Sequence, residues 1–369
     1  MAEWKTETLG QLVTFKTGKL DSNAAVSGGD YPFFTCSQET LRTNTFSFDT
    51  ECVLLGGNNA AGIFPLKYFK GKFDAYQRTY IIRPQNTERL STRFLYYAFR
   101  PKLAEWRSFS TGATTKFLTL KILNGTKINF PPLEEQRRIA GILSAYDELI
   151  ENSQRRIQIL ETMARSLYRE WFVQFKFPGH EKTKITNGLP DGWKTTTLGH
   201  LIEIKKGKNI TKSTIRPGGV PVVAGGLTPA YCHDTPNTEA PIITISASGA
   251  NSGFVNLYHV DVWASDCSFI DLAATPYVYY FYLWLKLRQT EVTGLQRGSA
   301  QPHVYSKDLA RLDALDVPER VIEMFSEQVT PVFQSIKNLT VRIENLRQTR
   351  DLLLPRLLSG QIKLGEIEV

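Results

Sequence analysis

The chain is poor in the residues that build redox and metal centres. It has only four cysteines in 369 residues, Cys36, Cys52, Cys232 and Cys267, and they stand far apart. None forms a C-x-x-C pair or has a histidine at ligand spacing, so reduced core thiols are expected rather than a zinc site or a disulfide framework. The five histidines are scattered too. Long apolar runs are missing: YVYYFYLWL at 277–285 is well short of the roughly 18–20 residues of a membrane span, and it reads as a buried helix. MAEWKTETLG has no apolar signal region, which predicts a cytoplasmic protein without membrane association. At 42% apolar and 22% charged residues the composition is that of a folded chain, and the length fits two domains better than one core.

Catalytic motifs are missing as well. In NFPPL at 129–133 a Phe separates Asn129 from Pro131, and Leu133 replaces the aromatic residue of an amino-methyltransferase motif. PDGWK at 190–194 lacks the acidic residue that a metal nuclease places two before its Lys. GANSG at 249–253 is not followed by Lys-Ser or Lys-Thr, so it is no phosphate-binding P-loop. A stand-alone methyltransferase or nuclease is therefore disfavoured.

The chain does contain itself twice. WKTETLGQLVTFKTGK at 4–19 and WKTTTLGHLIEIKKGK at 193–208 agree at ten of sixteen positions. The correspondence continues in order: YPFF at 31–34 with VPVV at 220–223, GGNNAAGIF at 56–64 with ASGANSGFV at 247–255, and TYII at 79–82 with SFID at 268–271. FLYYAF at 94–99 then answers YVYYFY at 277–282, and STGATTKF at 110–117 answers QRGSAQPH at 296–303. Ordered matches at nearly constant offset mark a duplicated unit. Within it, CVLL, TYIIRP, PIITIS and SFIDL read as strands, while FLYYAFRPKL and YVYYFYLWLKL read as helices, each opened by a Thr near the cap.

Each unit closes on a different pattern. After Pro131 and Pro132, Ile139, Leu143, Tyr146, Ile150, Ser153, Ile157, Leu160, Ala164, Leu167 and Trp171 alternate in steps of four and three. Phe325, Val329, Val332, Ile336, Leu339, Ile343, Leu346, Arg350, Leu353 and Leu357 repeat them 186 residues on. These are heptad seams in phase, with Leu143, Ile150, Ile157, Leu160, Val329, Ile336, Ile343 and Leu346 as pairing residues. Two helices of about 60 Å exceed what a small domain buries, so they need each other. Pro331 and Pro355 suggest a locally opened pairing, with the second helix beginning effectively at Pro331. The expected fold is α+β: two duplicated globular α/β domains joined by two long antiparallel coiled-coil helices, pseudo-twofold like a caliper. The boundaries are 1–132, 133–175, 176–318, 319–360 and a tail at 361–369.

Charge suggests what is gripped. Residues 1–132 hold seventeen Lys and Arg against ten Asp and Glu. In the second globe Lys176, Lys182, Lys184, Lys194, Lys205, Lys206, Lys208, Lys212 and Arg216 face only Glu181, Asp191 and Glu203. Two basic domains at fixed separation suit paired half-sites on a duplex, while a protein scaffold or a stand-alone DNA-binding protein without a restriction role is the competing reading.

PPLEEQRRIAGIL followed by YDELIENSQRRIQILETMARSLYREWF, and IKNLTVRIENLRQTRDLLLPRLLSGQI from Ile336, resemble the central and distal repeats of the DNA-specificity subunits of type I restriction-modification systems. The resemblance implies that each globe is a target-recognition domain reading half of a bipartite site on double-stranded DNA. It implies helices that set the spacing and dock two methyltransferase subunits, with restriction (translocase-nuclease) subunits joining. The chain itself would be no enzyme and hold no cofactor; S-adenosylmethionine, ATP and Mg would sit on the partners. Phosphate contacts need Lys or Arg, and base reading needs amide or planar groups on loops. The candidates are Lys16, Lys19, Lys205, Lys206 and Lys208 after the first strands, and Gln38, Arg42, Lys116, Arg297, Gln301 and His303 on polar loops.

Overall fold

The computed structural model describes residues 4–60, 62–111, 115–211, 213–298 and 301–362. Lys212, residues 112–114 and 299–300 of the two polar loops, and residues 363–369 of the tail lie outside the described residues. The chain divides into two compact units, Met1–Asn152 with Ile343–Val369, and Ser153–Arg342.

The first unit opens with β1 (Lys5–Thr8), α1 (Leu9–Leu12), β2 (Val13–Thr17), β3 (Tyr31–Phe34), β4 (Leu41–Thr43) and β5 (Phe48–Gly56). It continues through β6 (Asn58–Asn59), β7 (Leu66–Ala75), β8 (Thr79–Pro84), α2 (Thr92–Phe99) and α3 (Lys102–Phe109). Then come β9 (Lys116–Phe117), α4 (Leu120–Gly125), β10 (Lys127–Phe130) and the start of α5 (Leu133–Phe172). Six strands form one sheet in the order β2-β8-β5-β7-β3-β4, antiparallel except between β3 and β7. One face packs on α2 through Val53, Leu55, Ile82, Phe94 and Leu95, all essentially inaccessible. The other buries Phe34, Phe73, Leu54 and Ile81. FLYYAFRPKL is not one helix, because Pro101 ends it and α3 restarts at Lys102. The cap is Ser91, one residue before the expected Thr: its hydroxyl accepts from the Phe94 amide at 3.4 Å.

The second unit holds the end of α5, a small hairpin of β11 (Ile185–Thr186) and β12 (Leu189–Pro190), β13 (Lys194–Thr197), α6 (Leu198–Leu201) and β14 (Lys205–Lys206). β15 (Val220–Val223), β16 (Tyr231–His233), β17 (Ile242–Ser246), β18 (Val255–Tyr258), β19 (Trp263–Ala264) and β20 (Cys267–Ile270) follow. α7 (Val278–Leu287), α8 (Gln289–Gly294), α9 (Ser306–Leu309), β21 (Asp313–Asp316) and α10 (Glu319–Leu358) complete it. The larger sheets are β14-β20-β17-β18 and β16-β15-β19, and β13 pairs separately with β21. The aromatic run is the buried α7, with Tyr280, Leu283, Trp284 and Leu285 inside the unit.

Both long helices are uninterrupted and forty residues each. Glu134 and Glu135 in the first turn of α5, and Arg169 in its last, complement the helix dipole. Gln136 explains the EEQ motif: fully buried, its amide donates to Pro131 O at 2.8 Å and Arg89 O at 2.9 Å and accepts from the Ser91 amide at 2.9 Å. In the first unit the seam residues Leu143, Ile150 and Ile343 are buried and Leu346 is half-buried. In the second, Val329 and Ile336 are buried, Ile157 and Leu160 are half-buried, and all four share one core with Tyr168 and Phe325. α10 begins at Glu319, not at Pro331, which corrects the expected opening. Glu327 and Pro331 are both exposed, so the carbonyl that Pro331 cannot serve is left to water. Buried Phe325, Val329 and Phe333 hold the turn in place. Arg350, the charged exception in the seam, reaches Asp147 at 2.6 Å, and Asp147 also accepts from Tyr97 Oη at 2.8 Å.

Candidate nucleic-acid interface

The opening repeat has a steric cause. A Cβ on Gly18 would lie 1.9 Å from Ala75 O, and one on Gly207 would lie 2.1 Å from Ser265 O. Only glycine lets the chain pass there. The amides of these glycines bond Thr79 O at 3.3 Å and Cys267 O at 2.8 Å, which fixes the following Lys19 and Lys208 beside the turns before β8 and β20. Both lysines are exposed.

In the first unit four segments converge on this end of the sheet. Gln77 N bonds Leu20 O at 3.0 Å, Gly57 N bonds Arg78 O at 2.8 Å, and Leu118 N bonds Gly57 O at 2.9 Å. Asn58 and Asn59 pair with Phe117 and Lys116, so two polar segments more than fifty positions apart form one surface. Exposed Arg78 lies over the Phe117 ring, 5.5 Å from its centroid. At Gly62 (φ +68°) a side chain would meet the Cγ atoms of Arg107 and Lys116 at 3.2 and 3.3 Å. Gln38 stands exposed on the neighbouring 37–40 loop, which Lys67 closes by donating to Glu39 O at 2.8 Å and Thr40 Oγ1 at 3.1 Å. Burial pushes the Lys67 ammonium down to about 8.

The second unit repeats the convergence. Gly249 N bonds Pro302 O at 3.0 Å, Val304 N bonds Ala247 O at 3.0 Å, and Ala247 N bonds Asp266 O at 3.1 Å. Arg297 and His303 exchange backbone bonds of 2.9 and 2.8 Å and hold Gln301 exposed at the tip. His303 stacks on Tyr305 with centroids 6.0 Å apart. Ser248 Oγ donates to Asp266 Oδ2.

Other candidates are engaged or elsewhere. Arg42 donates to Gly29 O and to Asp30 O at 2.7 Å, at the opposite end of the β3–β4 pair from Gln38. Lys205 pairs with buried Asp271 at 3.3 Å, and Arg297 pairs with buried Asp308 at 2.8 Å. Lys16 on β2 and Lys206 on β14 are exposed, and Lys116 is half-buried. Arg78 and Arg107 escaped the sequence reading, since nothing local sets YQRTY or EWRSF apart. Only the pairing of remote loops brings them to this surface. Among the described residues no cluster of His, Cys, Asp and Glu could hold a metal ion, and no helix is long and apolar enough to cross a membrane.

The type I restriction modification DNA specificity domain family matches residues 1–162 and 190–314. The chain is 36% identical to the type I restriction enzyme EcoDI specificity subunit of Escherichia coli, over 49% of this chain and 39% of that protein. It is 26% identical to the MjaIX specificity subunit of Methanocaldococcus jannaschii, over 75% of this chain and 70% of that protein. The match to EcoDI thus spans well under half of that relative's length. A crystal structure of a type I restriction-modification S subunit from M. genitalium has the same fold, with TM-score 0.69 over 96% of either chain at 20% identity.

Proposed function

The chain belongs to the type I restriction modification DNA specificity family, and from that premise we propose that it is the non-catalytic recognition subunit of such a system, each unit reading one half of a bipartite duplex target. The observation that carries this is the duplicated loop surface: in both units two remote Gly-rich or polar segments meet beside an exposed lysine, Lys19 or Lys208. Backbone phosphates take the lysines, and loop-borne planar and amide groups take base edges. Lys16, Lys19, Gln38, Lys116, Lys206, Lys208, Gln301 and His303 remain DNA-contact candidates. Arg42, Lys205 and Arg297 act first in holding their own loops.

The partners follow from the same premise. Two methyltransferase subunits dock on the long helices, whose uninterrupted forty-residue lengths also set the distance between half-sites. Restriction subunits complete the assembly, and S-adenosylmethionine, ATP and Mg reside on these partners in the cytoplasm. The domains act as 1–132 and 176–318, with 133–175 and 319–360 as spacers. Sequencing modified adenines in cells that carry the intact system tests this: a bipartite motif is expected, and replacing residues 1–132 with a relative's globe should change only one half. A change in both halves would overturn independent reading. Inserting four residues after Gln154 and near Thr340 adds about 6 Å, under two base pairs, and should widen the unspecified spacer by one or two. An active variant with the original spacing would show that the helices do not set it.

A further inference from the structure

The two loop surfaces differ at one place. Gly57 N bonds Arg78 O in the first unit, and Ala247 N bonds Asp266 O in the second. The residues that follow, Thr79 and Cys267, both accept from the opening glycine of their repeat, so the folded halves align TYII at 79–82 with CSFI at 267–270, one residue from the match with SFID read in sequence. Arg78 and Asp266 therefore hold the same position in the duplicated fold, with opposite charge. Arg78 has its guanidinium laid on Phe117 and no anionic partner among the described residues. Asp266 binds Ser248 through Oδ2 and leaves Oδ1 without a partner among the described residues.

Resting on the function proposed above, we infer that Arg78 and Asp266 are the specificity-determining pair, Arg78 reading a guanine in one half-site and Asp266 a cytosine in the other. What the repeats share serves what the half-sites share: Lys19 and Lys208, both exposed after a required glycine, suit the phosphate backbone, which is alike at every site. What the repeats do not share serves the sequence. A carboxylate cannot be a phosphate contact, because a polyanion repels it, so the ligand group facing Asp266 is a hydrogen-bond donor. Cytosine N4 offers that donor in the major groove, and guanine O6 and N7 offer the paired acceptors that a guanidinium fork matches. The contact with the Phe117 ring holds the Arg78 guanidinium at this surface, which favours a directed contact over a mobile surface charge.

The test uses the full-length chain with the subunits that co-purify with it, and a duplex library with randomised positions from which retained sequences are read. Wild type should enrich two blocks separated by an unspecified spacer. Arg78→Gln should lower the preference for one guanine about ten- to hundredfold in one block and leave the other intact. Arg78→Lys should keep overall retention and its salt dependence yet weaken the preference for the same guanine, since an ammonium can donate to O6 or N7 but lacks the planar fork. Asp266→Asn should relax a cytosine in the other block only. If Arg78→Gln weakens retention of all sequences alike, Arg78 is a phosphate contact and the inference falls. It falls too if both variants alter one block. Failure of wild type to enrich any block would overturn the specificity function itself, a result distinct from these. Arg78 is exposed and Asn keeps the shape of Asp266, so thermal unfolding of each variant should match wild type.

Discussion

The first and second units solve one strand-pairing problem in two ways. In the first, β5 pairs with β7 by backbone ladder from Phe48↔Phe73 onward, and β7 runs ten residues to join β3, so six strands make one sheet. In the second, Pro241 cannot donate to a ladder, and β17 starts only at Ile242. The preceding residues are held chiefly by side chains, beside one backbone bond from Asn237 N to Val262 O at 3.1 Å. Asn237 donates to Ala264 O at 3.0 Å and accepts from Ala264 N at 2.7 Å, while Thr238 exchanges bonds of 2.9 and 3.1 Å with Val262. β18 and β19 are consequently separate, and the sheet splits in two. The packing changes with it: clustered, mostly edge-on Phe34, Phe48, Phe69 and Phe73 on one side, smaller Val223, Ile242, Val262 and Ala264 on the other. A duplicated fold keeps element order and buried faces, whereas the means of satisfying each buried amide is free to drift.

Gly18→Ala and Gly207→Ala should have the largest effect, because in each the new Cβ meets a fixed backbone carbonyl. Each should destabilise its own unit by about 4 kcal/mol or more, seen in calorimetry as loss of one of two unfolding transitions. Equal damage to both transitions would show that the units do not unfold separately.

Asn237→Ala should cost about 1 to 3 kcal/mol, since it leaves the buried Ala264 amide without its acceptor, while Ala264 O keeps the Lys208 amide at 2.9 Å. Asp49→Ala, one residue into the backbone ladder of the first unit, removes no ladder bond and should cost under about 0.5 kcal/mol. Comparable losses would mean that the side-chain ladder is not what closes the second unit.

Acid should separate the units further. All five histidines lie between residues 180 and 303, and none in the first globe. Burial against Phe333 and Tyr279, with Lys337 nearby, pushes His259 down to about 4. A lowered imidazole in the folded state means that its contribution is complete above the unfolded value near 6.5 and is lost as pH falls from there towards 4. Between pH 7 and 5 the second transition should therefore drop while the first holds. His259→Phe should flatten that slope, and an unchanged slope would assign the acid response elsewhere.

The smallest effect is expected at Arg42→Gln. It should cost about 1 kcal/mol or less through the Gly29 and Asp30 carbonyls and leave the selected DNA sequence unaltered. A changed half-site would return Arg42 to the reading surface.

Much of the fold was legible because periodicity is local. Heptad spacing placed Leu143, Val329 and Ile336 in buried seams, and β-branched runs located β5, β8, β17 and β20. Pro331 misled, because a proline on an exposed helix face loses a bond that water replaces. The candidate surface was harder to read. Lys205 and Arg297 look like free cations in sequence, yet Asp271 and Asp308 reach them from 66 and 11 residues away.

The sequence by itself determined the duplication, the two long helices and the glycines at 18 and 207, since each is a repeat or spacing that survives without knowledge of neighbours. Tertiary structure alone decided which charges are available. Whether a lysine or arginine faces solvent or a buried carboxylate depends on strand register and loop closure across many tens of residues, as Asn59↔Lys116 shows. The same closure put Arg78 and Asp266 at one position in two halves whose local sequences, YQRTY and ASDCS, carry no common signal.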